Sequence, residues 1–305
     1  MGTGGVGGYF GAQLARAGES VAFVARGAHL GAIQSAGLAV RSVDGDFVVT
    51  APATDDPARV PALIGPVDLV LFCVKLYDTE TAARALRPLL AGPTAVLSLQ
   101  NGVAKDGMLA DALGPERIVG GLCNVFVAIE APGLIRHSGG GTLVFGELDG
   151  RPTDRATAVF QAARKAGIRV ELSADVRRVQ WEKFLMILGL SAMSALTRRP
   201  MGEIRACPES RRLYQAVFEE VAAIAGAEGV ALGDVVARTM ALGDRLPPDS
   251  YSSMYHDVTQ GRRLELDWLH GHALRRAARH GLPVPALSAL YACLKPMALA
   301  AEPAT

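Results

Sequence analysis

Short apolar runs alternate with helix-spaced segments through the first half of the chain, and helical spacing takes over the second half. Phe10, Leu14 and Ala15 recur at the helical interval until Gly18 stops them. Val21 to Ala25 is a short apolar run that predicts a strand. Leu38–Val40 and Phe47–Thr50 alternate around Asp44-Gly45, which reads as a hairpin. Val67 to Val74 is apolar almost throughout, the pattern of a parallel strand buried on both faces. Thr79 to Leu90 has helical spacing, and Ala95 to Leu99 predicts the next strand. Ile118 to Val127, Gly133 to His137 and Thr142 to Gly146 read as three further strands joined by glycine-rich turns. A helix over 151–166 and a strand over 169–172 complete this half.

Near Ser173 the pattern changes, which places a domain boundary there: 1–172 an α/β dinucleotide-binding unit, 173–305 an all-helical one. Val176 to Thr197 predicts one long buried helix, followed by helices over 209–226 and 232–242. Pro247-Pro248 breaks the chain. Ser252 and Ser253 stand at a predicted helix N-cap. Glu265 and Asp267 lie in a helix that runs to His280, with Gly281 as its cap, and a last helix covers 286–299.

Composition adds bounds. A chain of 305 residues, half apolar and one-fifth charged, can bury a sizeable core. Its net charge of +1 argues against nucleic-acid or membrane-surface binding. The four cysteines (Cys73, Cys123, Cys207, Cys293) are scattered, with no C-x-x-C pair. Neither a disulfide framework nor a zinc site is expected, and the cysteines read as buried thiols in a reducing cytoplasm. His270 and His272, two apart on a helix, face different sides and make an improbable metal pair.

The chemistry begins at residue 2. Gly2, Gly4 and Gly7 spell G-x-G-x-x-G ahead of the first helical segment. Gly2 permits the tight turn, Gly4 lets backbone approach a pyrophosphate, and Gly7 allows close helix–sheet packing. Gly5 and Val6 stand in the same turn, and the helix N-terminus behind it offers free N–H groups to phosphate. The fingerprint ordinarily follows a strand of about five residues, yet only Met1 precedes Gly2. The expectation is that the first strand is truncated and that the chain as given starts late. Arg26 ends the next predicted strand, where an NAD site carries an acid; a cation there suits the 2′-phosphate of NADP. His29 is close by, though such a histidine is more often exposed. Lys75 and Gln100-Asn101-Gly102 follow strands at their carboxyl ends, where open α/β sheets bind ligands. A turn role for Asn101-Gly102 stays open beside a ligand role. Lys183 sits among Trp181 and Phe184–Leu188. Desolvation lowers a lysine pKa and would prepare a general acid; a snorkelling lysine is the alternative.

These pieces resemble the ketopantoate reductase (2-dehydropantoate 2-reductase) family over nearly the whole chain. The resemblance is carried by Gly2–Gly8, Arg26, Cys73-Val-Lys75, Gln100-Asn101-Gly102, Trp181-Glu-Lys183, Ser252-Ser253-Met254 with Asp257, and Gly261-Arg262 through Glu265-Leu-Asp267. It implies an NADPH-binding Rossmann-type domain joined to an all-α domain, as in 6-phosphogluconate dehydrogenase, with the active site in the cleft between them. It also implies hydride transfer to C2 of a 2-oxo acid, ketopantoate, to make pantoate for pantothenate synthesis. A monomer or homodimer in the cytoplasm is expected. By position, Lys183 would be the general acid and Glu265 its partner on the substrate oxygen. Ser253 would bind the carboxylate, and Asn101 and Lys75 would meet cofactor and substrate. Ile187 and Ser191 occupy wall positions where the family carries asparagines, and His270 stands where an asparagine is common. A paralogue acting on a more apolar 2-oxo acid, or a catalytically silent NADP-binding regulator, are the alternatives.

Overall fold

The computed structural model describes residues 1–90 and 92–301; the last four residues of the expected helical domain lie outside the described residues. Two units divide the chain: Met1–Gln100 with Lys105–Val176, and Asn101–Ala104 with Arg177 onward.

The first unit runs α1 (Gly5–Arg16), β1 (Phe23–Val24), α2 (Gly27–Ala36), β2 (Leu38–Ser42), β3 (Phe47–Val49), β4 (Ala53–Thr54), α3 (Val60–Ile64), β5 (Leu69–Phe72), α4 (Thr79–Leu86), β6 (Ala95–Ser98), α5 (Lys105–Leu113), β7 (Ile118–Ala131), β8 (Leu134–Glu147), α6 (Asp154–Lys165) and β9 (Arg169–Leu172). Its main sheet has the order β3-β2-β8-β7-β6-β5, with β9 on β8. The sheet is mixed: β5, β6 and β7 are parallel, β7 and β8 antiparallel. β6 is buried at every residue, and its alternate side chains serve opposite faces. Leu97 packs with Phe10, Phe145, Ala156 and Ala163 on the α1/α6 side. Val96 packs with Phe72, Leu86 and Leu109 on the α4/α5 side. That two-sided burial is what an apolar run without alternation requires.

β1 and β4 form a separate parallel pair. The first three residues lie between that pair and β5. The Met1 nitrogen donates to the Leu71 carbonyl, and the Cys73 N–H donates to the Met1 carbonyl. On the other side, the Gly2 and Thr3 N–H groups donate to the Val24 carbonyl.

The sheet departs from the sequence reading in one place. Instead of three strands and glycine turns, 118–147 forms two strands of 14 residues each. Gly139, Gly140 and Gly141 have φ of 152°, 79° and 101°, and they sit inside β8. Positive φ there absorbs register slips against Asn124–Val127 without reversing the chain. The hairpin predicted around Asp44-Gly45 forms, with Leu38 opposite Val49.

The second unit is helical: α7 (Val176–Thr197, whose first residue is counted in the first unit), α8 (Met201–Ala206), α9 (Pro208–Ala227), α10 (Val235–Arg245), α11 (Ser253–Thr259), α12 (Leu266–Arg279) and α13 (Pro285–Ala300). Phe184, Leu185 and Leu188 of α7 are fully buried, as are Val217, Phe218, Val221 and Ile224 of α9. α9 also touches α8, α10, α12 and α13, which makes it the central helix. Among the described residues no helix is long and apolar enough to cross a membrane. The cysteine reading needs a correction. All four are free thiols, but only Cys123 is buried and Cys73 partly so, while Cys207 and Cys293 are exposed. Cys207 caps α9 from outside, and Cys293 lies on the outer side of α13.

Candidate active site

The glycine turn of the first unit has the geometry each glycine predicts. Gly2 adopts φ 83°, and the Gly4 N–H closes back on the Gly2 carbonyl at 2.7 Å. A Cβ on Gly7 would run into that same carbonyl, so only glycine allows α1 to start this close. A Cβ on Gly4 would meet nothing within 4 Å, which leaves its outer side open. Gly5 backs onto the Val127 carbonyl, 3.0 Å from where its Cβ would lie. α1 begins with no side-chain cap and no acid in its first turn. The N–H groups of Gly5, Val6 and Gly7 therefore suit an anion, and the residues present fit the diphosphate of a dinucleotide.

Arg26 follows β1, caps α2 in extended conformation and is exposed. His29 is not the exposed histidine expected. Its Nδ1 accepts from the Gly133 N–H at 3.0 Å, and burial lowers its pKa. It is neutral at pH 7, so Arg26 has no second cation from it. Lys75 is half-buried just beyond β5. The neighbouring Cys73 thiol is pushed up to about 12 by burial, which makes it inert as a nucleophile.

The second unit holds a pocket of about 260 Å³, counting its open mouth, lined by Asn101, Ile187, Ser191, Ser253, Met254, Asp257, Glu265 and Leu269. Five positions given site roles from the sequence thus meet in one place: Asn101, Ile187, Ser191, Ser253 and Glu265. Lys183 is not among the lining residues; it is half-buried one turn before Ile187 on α7. Gly2, Gly4, Gly5, Val6, Gly7, Arg26 and Lys75 belong to the first unit. Met254, Asp257 and Leu269 carried no assigned role. Met254 and Asp257 stand in the motif that carries the resemblance, and helical spacing marks Asp257, one turn after Ser253, and Leu269, one turn after Glu265.

Local bonds shape the pocket wall. The Ser191 hydroxyl donates back to the Ile187 carbonyl at 2.5 Å, with the Leu188 carbonyl at 3.3 Å. Its one proton is spent on its own helix, as mid-helix serines commonly do. Facing the pocket, positions 187 and 191 therefore offer an alkyl group and at most an acceptor. Behind them, fully buried His270 bonds the Leu188 carbonyl through Nε2 at 3.0 Å. A carbonyl can only accept, so Nε2 carries the proton, and burial lowers this histidine's pKa to about 4. Ser252 caps α11 by accepting from the Tyr255 N–H at 3.0 Å, and its hydroxyl shares a 2.7 Å bond with Ser194 of α7. That bond pins Ser253 relative to the α7 wall. Asp257, also buried, accepts from Arg262 Nε at 2.8 Å. Glu265 is 9% exposed and precedes α12, whose first N–H groups favour a carboxylate. Among the described residues no cluster of histidine, cysteine and acid side chains is arranged to hold a metal.

Comparisons with known proteins find relatives along nearly the whole chain. Residues 1–150 match the family model described as ketopantoate reductase PanE/ApbA, and residues 175–298 match its C-terminal counterpart. The 2-dehydropantoate 2-reductase of Halobacterium salinarum is 33% identical over 292 residues, covering 95% of each chain. The crystal structure of a PanE/ApbA family ketopantoate reductase from Ralstonia eutropha JMP134 superposes with a TM-score of 0.90 at 36% identity, over 99% of this chain and 98% of that one. D-mandelate dehydrogenase, solved with NADH and anilino(oxo)acetate, shares the fold at 20% identity and a TM-score of 0.88, over 98% and 97% of the two chains. With matching models over both halves and relatives of this closeness along nearly its whole length, the chain belongs to the ketopantoate reductase family and is an oxidoreductase that acts on a 2-oxo acid with a nicotinamide cofactor.

Proposed function

We propose that the chain reduces 2-dehydropantoate to pantoate with NADPH, in the cytoplasm, as a step of pantothenate biosynthesis. The observation that carries this reading is the meeting of Asn101, Ser253 and Glu265 in one pocket whose wall is the helix bearing Lys183. Residues 1–172 would hold the cofactor and residues 173–305, with Asn101, the substrate. The bound nicotinamide supplies hydride to C2 of the 2-oxo acid. As C2 takes the hydride, its oxygen gains charge. Lys183 stabilises that oxygen and gives it a proton, so the product is a 2-hydroxy acid and a neutral lysine that solvent reprotonates. Glu265 accepts a hydrogen bond from the C2 hydroxyl once that oxygen is protonated, or from the substrate hydroxyl, and holds Lys183. Ser253 binds the carboxylate, and Asn101 and Lys75 orient cofactor and substrate. Glycines 2, 4, 5 and 7 and Val6 receive the diphosphate, and Arg26 pairs with the 2′-phosphate.

The nucleotide arm has its own test. Arg26→Asp is expected to weaken NADPH by about 10- to 100-fold, the worth of a hydrogen bond to a charged group, and to leave NADH nearly unchanged. Titration of both nucleotides by fluorescence would measure this. Equal loss for both would remove Arg26 from 2′-phosphate recognition.

A second reading of the substrate is favoured by a specific observation, the alkyl surface of Ile187 beside a Ser191 whose proton is already committed. That wall suits a branched or apolar 2-oxo acid without a hydroxyl at that point. NADPH oxidation with ketopantoate and with 2-oxo acids of matched size that lack its hydroxyl separates the two. Ile187→Asn is expected to raise kcat/KM for ketopantoate over the apolar acids by about tenfold. A wild type that prefers ketopantoate and gains nothing from the asparagine would exclude the apolar reading. NADPH binding without turnover of any 2-oxo acid would instead point to a regulator.

A further inference from the structure

We infer that Gln100 is a positioning residue that sets both Lys75 and Asn101. The inference rests on the roles proposed above for those two residues. β5 and β6 pair from Leu69 opposite Ala95 to Phe72 opposite Ser98, and one last backbone bond joins the Leu99 N–H to the Phe72 carbonyl at 3.0 Å. The backbone ladder ends there. Beyond that point the tie is made by a side chain. Gln100 is 6% exposed, and its Nε2 donates to the Val74 carbonyl at 2.9 Å and to the Thr79 hydroxyl at 2.8 Å. Its Oε1 accepts from the Ser98 hydroxyl at 3.0 Å.

Each of these partners leads to a residue given a role above. Val74 is the residue before Lys75, and it lies under the glycine turn: a Cβ on Gly2 would fall 2.8 Å from the Val74 nitrogen. Thr79 is fully buried and opens α4. Ser98 ends β6, and the residue after Gln100 is Asn101, which lines the pocket. One planar amide, with both protons and its oxygen engaged, thus fixes the end of β5, the start of α4 and the exit of β6.

The physical need is plain. Ligands bind at the carboxyl ends of such strands, where the ladder must open. An opening ladder strands buried backbone carbonyls unless something else bonds them. A backbone bond would continue the ladder, whereas the Gln100 side chain bonds the Val74 carbonyl beyond the ladder's end. Lys105 does the same on the opposite edge of β6, bonding the Ser98 and Gly121 carbonyls beyond the last pair, Leu97 with Val119.

The test is Gln100→Met, which keeps length and removes all three bonds, beside Thr79→Val, which removes one and leaves the bond to Val74. Both are measured on the full chain at a temperature where circular dichroism shows each to be folded. Gln100→Met is expected to raise the NADPH Kd by about tenfold and to lower kcat with the preferred 2-oxo acid by about 10- to 100-fold, the scale of a small misplacement of reacting groups. Thr79→Val is expected to lower Tm and to leave Kd and kcat within about twofold. If Gln100→Met lowers Tm alone and leaves both constants within about twofold, Gln100 only stabilises the fold and the inference is overturned. Should Gln100→Met fail to fold, Gln100→Asn, one methylene too short to make the same bonds, is read by the same criteria. The Kd is measured without substrate, so it decides the matter even if ketopantoate proves not to be the substrate.

Discussion

Lys183→Ala is expected to lower turnover of the 2-oxo acid by about 100- to 10,000-fold, the usual worth of a general acid, while NADPH affinity stays within about threefold. The expectation follows from where the side chain stands. Lys183 lies one turn from Ile187 and two from Ser191 on a helix whose opposite side is locked into the core by Trp181, Phe184, Leu185 and Leu188. Trp181 and Phe184 meet edge to face with ring centroids 5.6 Å apart. Next to the lysine, Glu182 is bonded to Arg178 at 3.2 Å and to Arg238 at 2.8 Å, so that acid is tied down elsewhere. Truncating a half-buried lysine on so well anchored a helix leaves the helix in place, and the loss should appear in kcat. The glycine turn proposed to receive the nucleotide belongs to the other unit, and its affinity should not register the change. Stopped-flow hydride transfer at saturating NADPH, with direct nucleotide titration, measures both quantities. Turnover that survives the substitution would move the proton donor to another group.

Lys105→Met is expected to destabilise the first unit by about 3–5 kcal/mol, the scale for removing one member of a buried ion pair. The Lys105 side chain is 1% exposed. Its ammonium donates to the Gly121 carbonyl at 2.7 Å, the Ser98 carbonyl at 3.0 Å and Asp106 Oδ1 at 3.0 Å. Methionine fills a similar volume but leaves two strand carbonyls and a buried carboxylate without those bonds. Lys105→Met/Asp106→Asn should recover part of the loss, because no uncompensated charge then remains. The probe has to be chosen with care. Both tryptophans, Trp181 and Trp268, lie in the second unit. Urea unfolding should therefore be followed by far-ultraviolet circular dichroism, together with amide exchange of β6 and β7. A loss under about 1 kcal/mol, the range of ordinary single hydrogen bonds, would mean that water replaces the ammonium at little penalty.

Several elements are legible in the sequence. α7 runs from Val176 to Thr197 as its spacing predicts, because a 22-residue helix gives the period many turns in which to show itself. β5 reads as a parallel strand because two-sided burial leaves no room for alternation, and β6 reads as the next strand. The turn at Gly2 and the approach at Gly7 are backbone requirements that only one residue type meets, so they are written in the letters themselves. Ser252 as a cap needs only its neighbours three residues on.

Other features depended on contacts that no local pattern encodes. α5 went unread because it is nine residues long and buries Lys105 and Asp106 along with Leu109, which hides its apolar period. The glycines at 139–141 look like a turn until a long partner strand turns them into bulges. Gln100 and Lys105 are ordinary polar letters, and their partners at Val74, Thr79 and Gly121 lie 16 to 26 residues away. Ser191 and Ile187 were visible as a changed pocket wall. That Ser191 spends its proton on its own helix, and that His270 reaches from α12 to the carbonyl beside Ile187, emerged only from the packed structure. Sequence alone determined most kinds of element, the glycine turn and five of the eight residues that line the pocket, because each rests on periodicity, on a backbone conformation or on matched motifs. Tertiary structure decided which polar atoms are already bonded and which face the pocket, because hydrogen bonding in a buried site is a property of distance between segments rather than of their order along the chain.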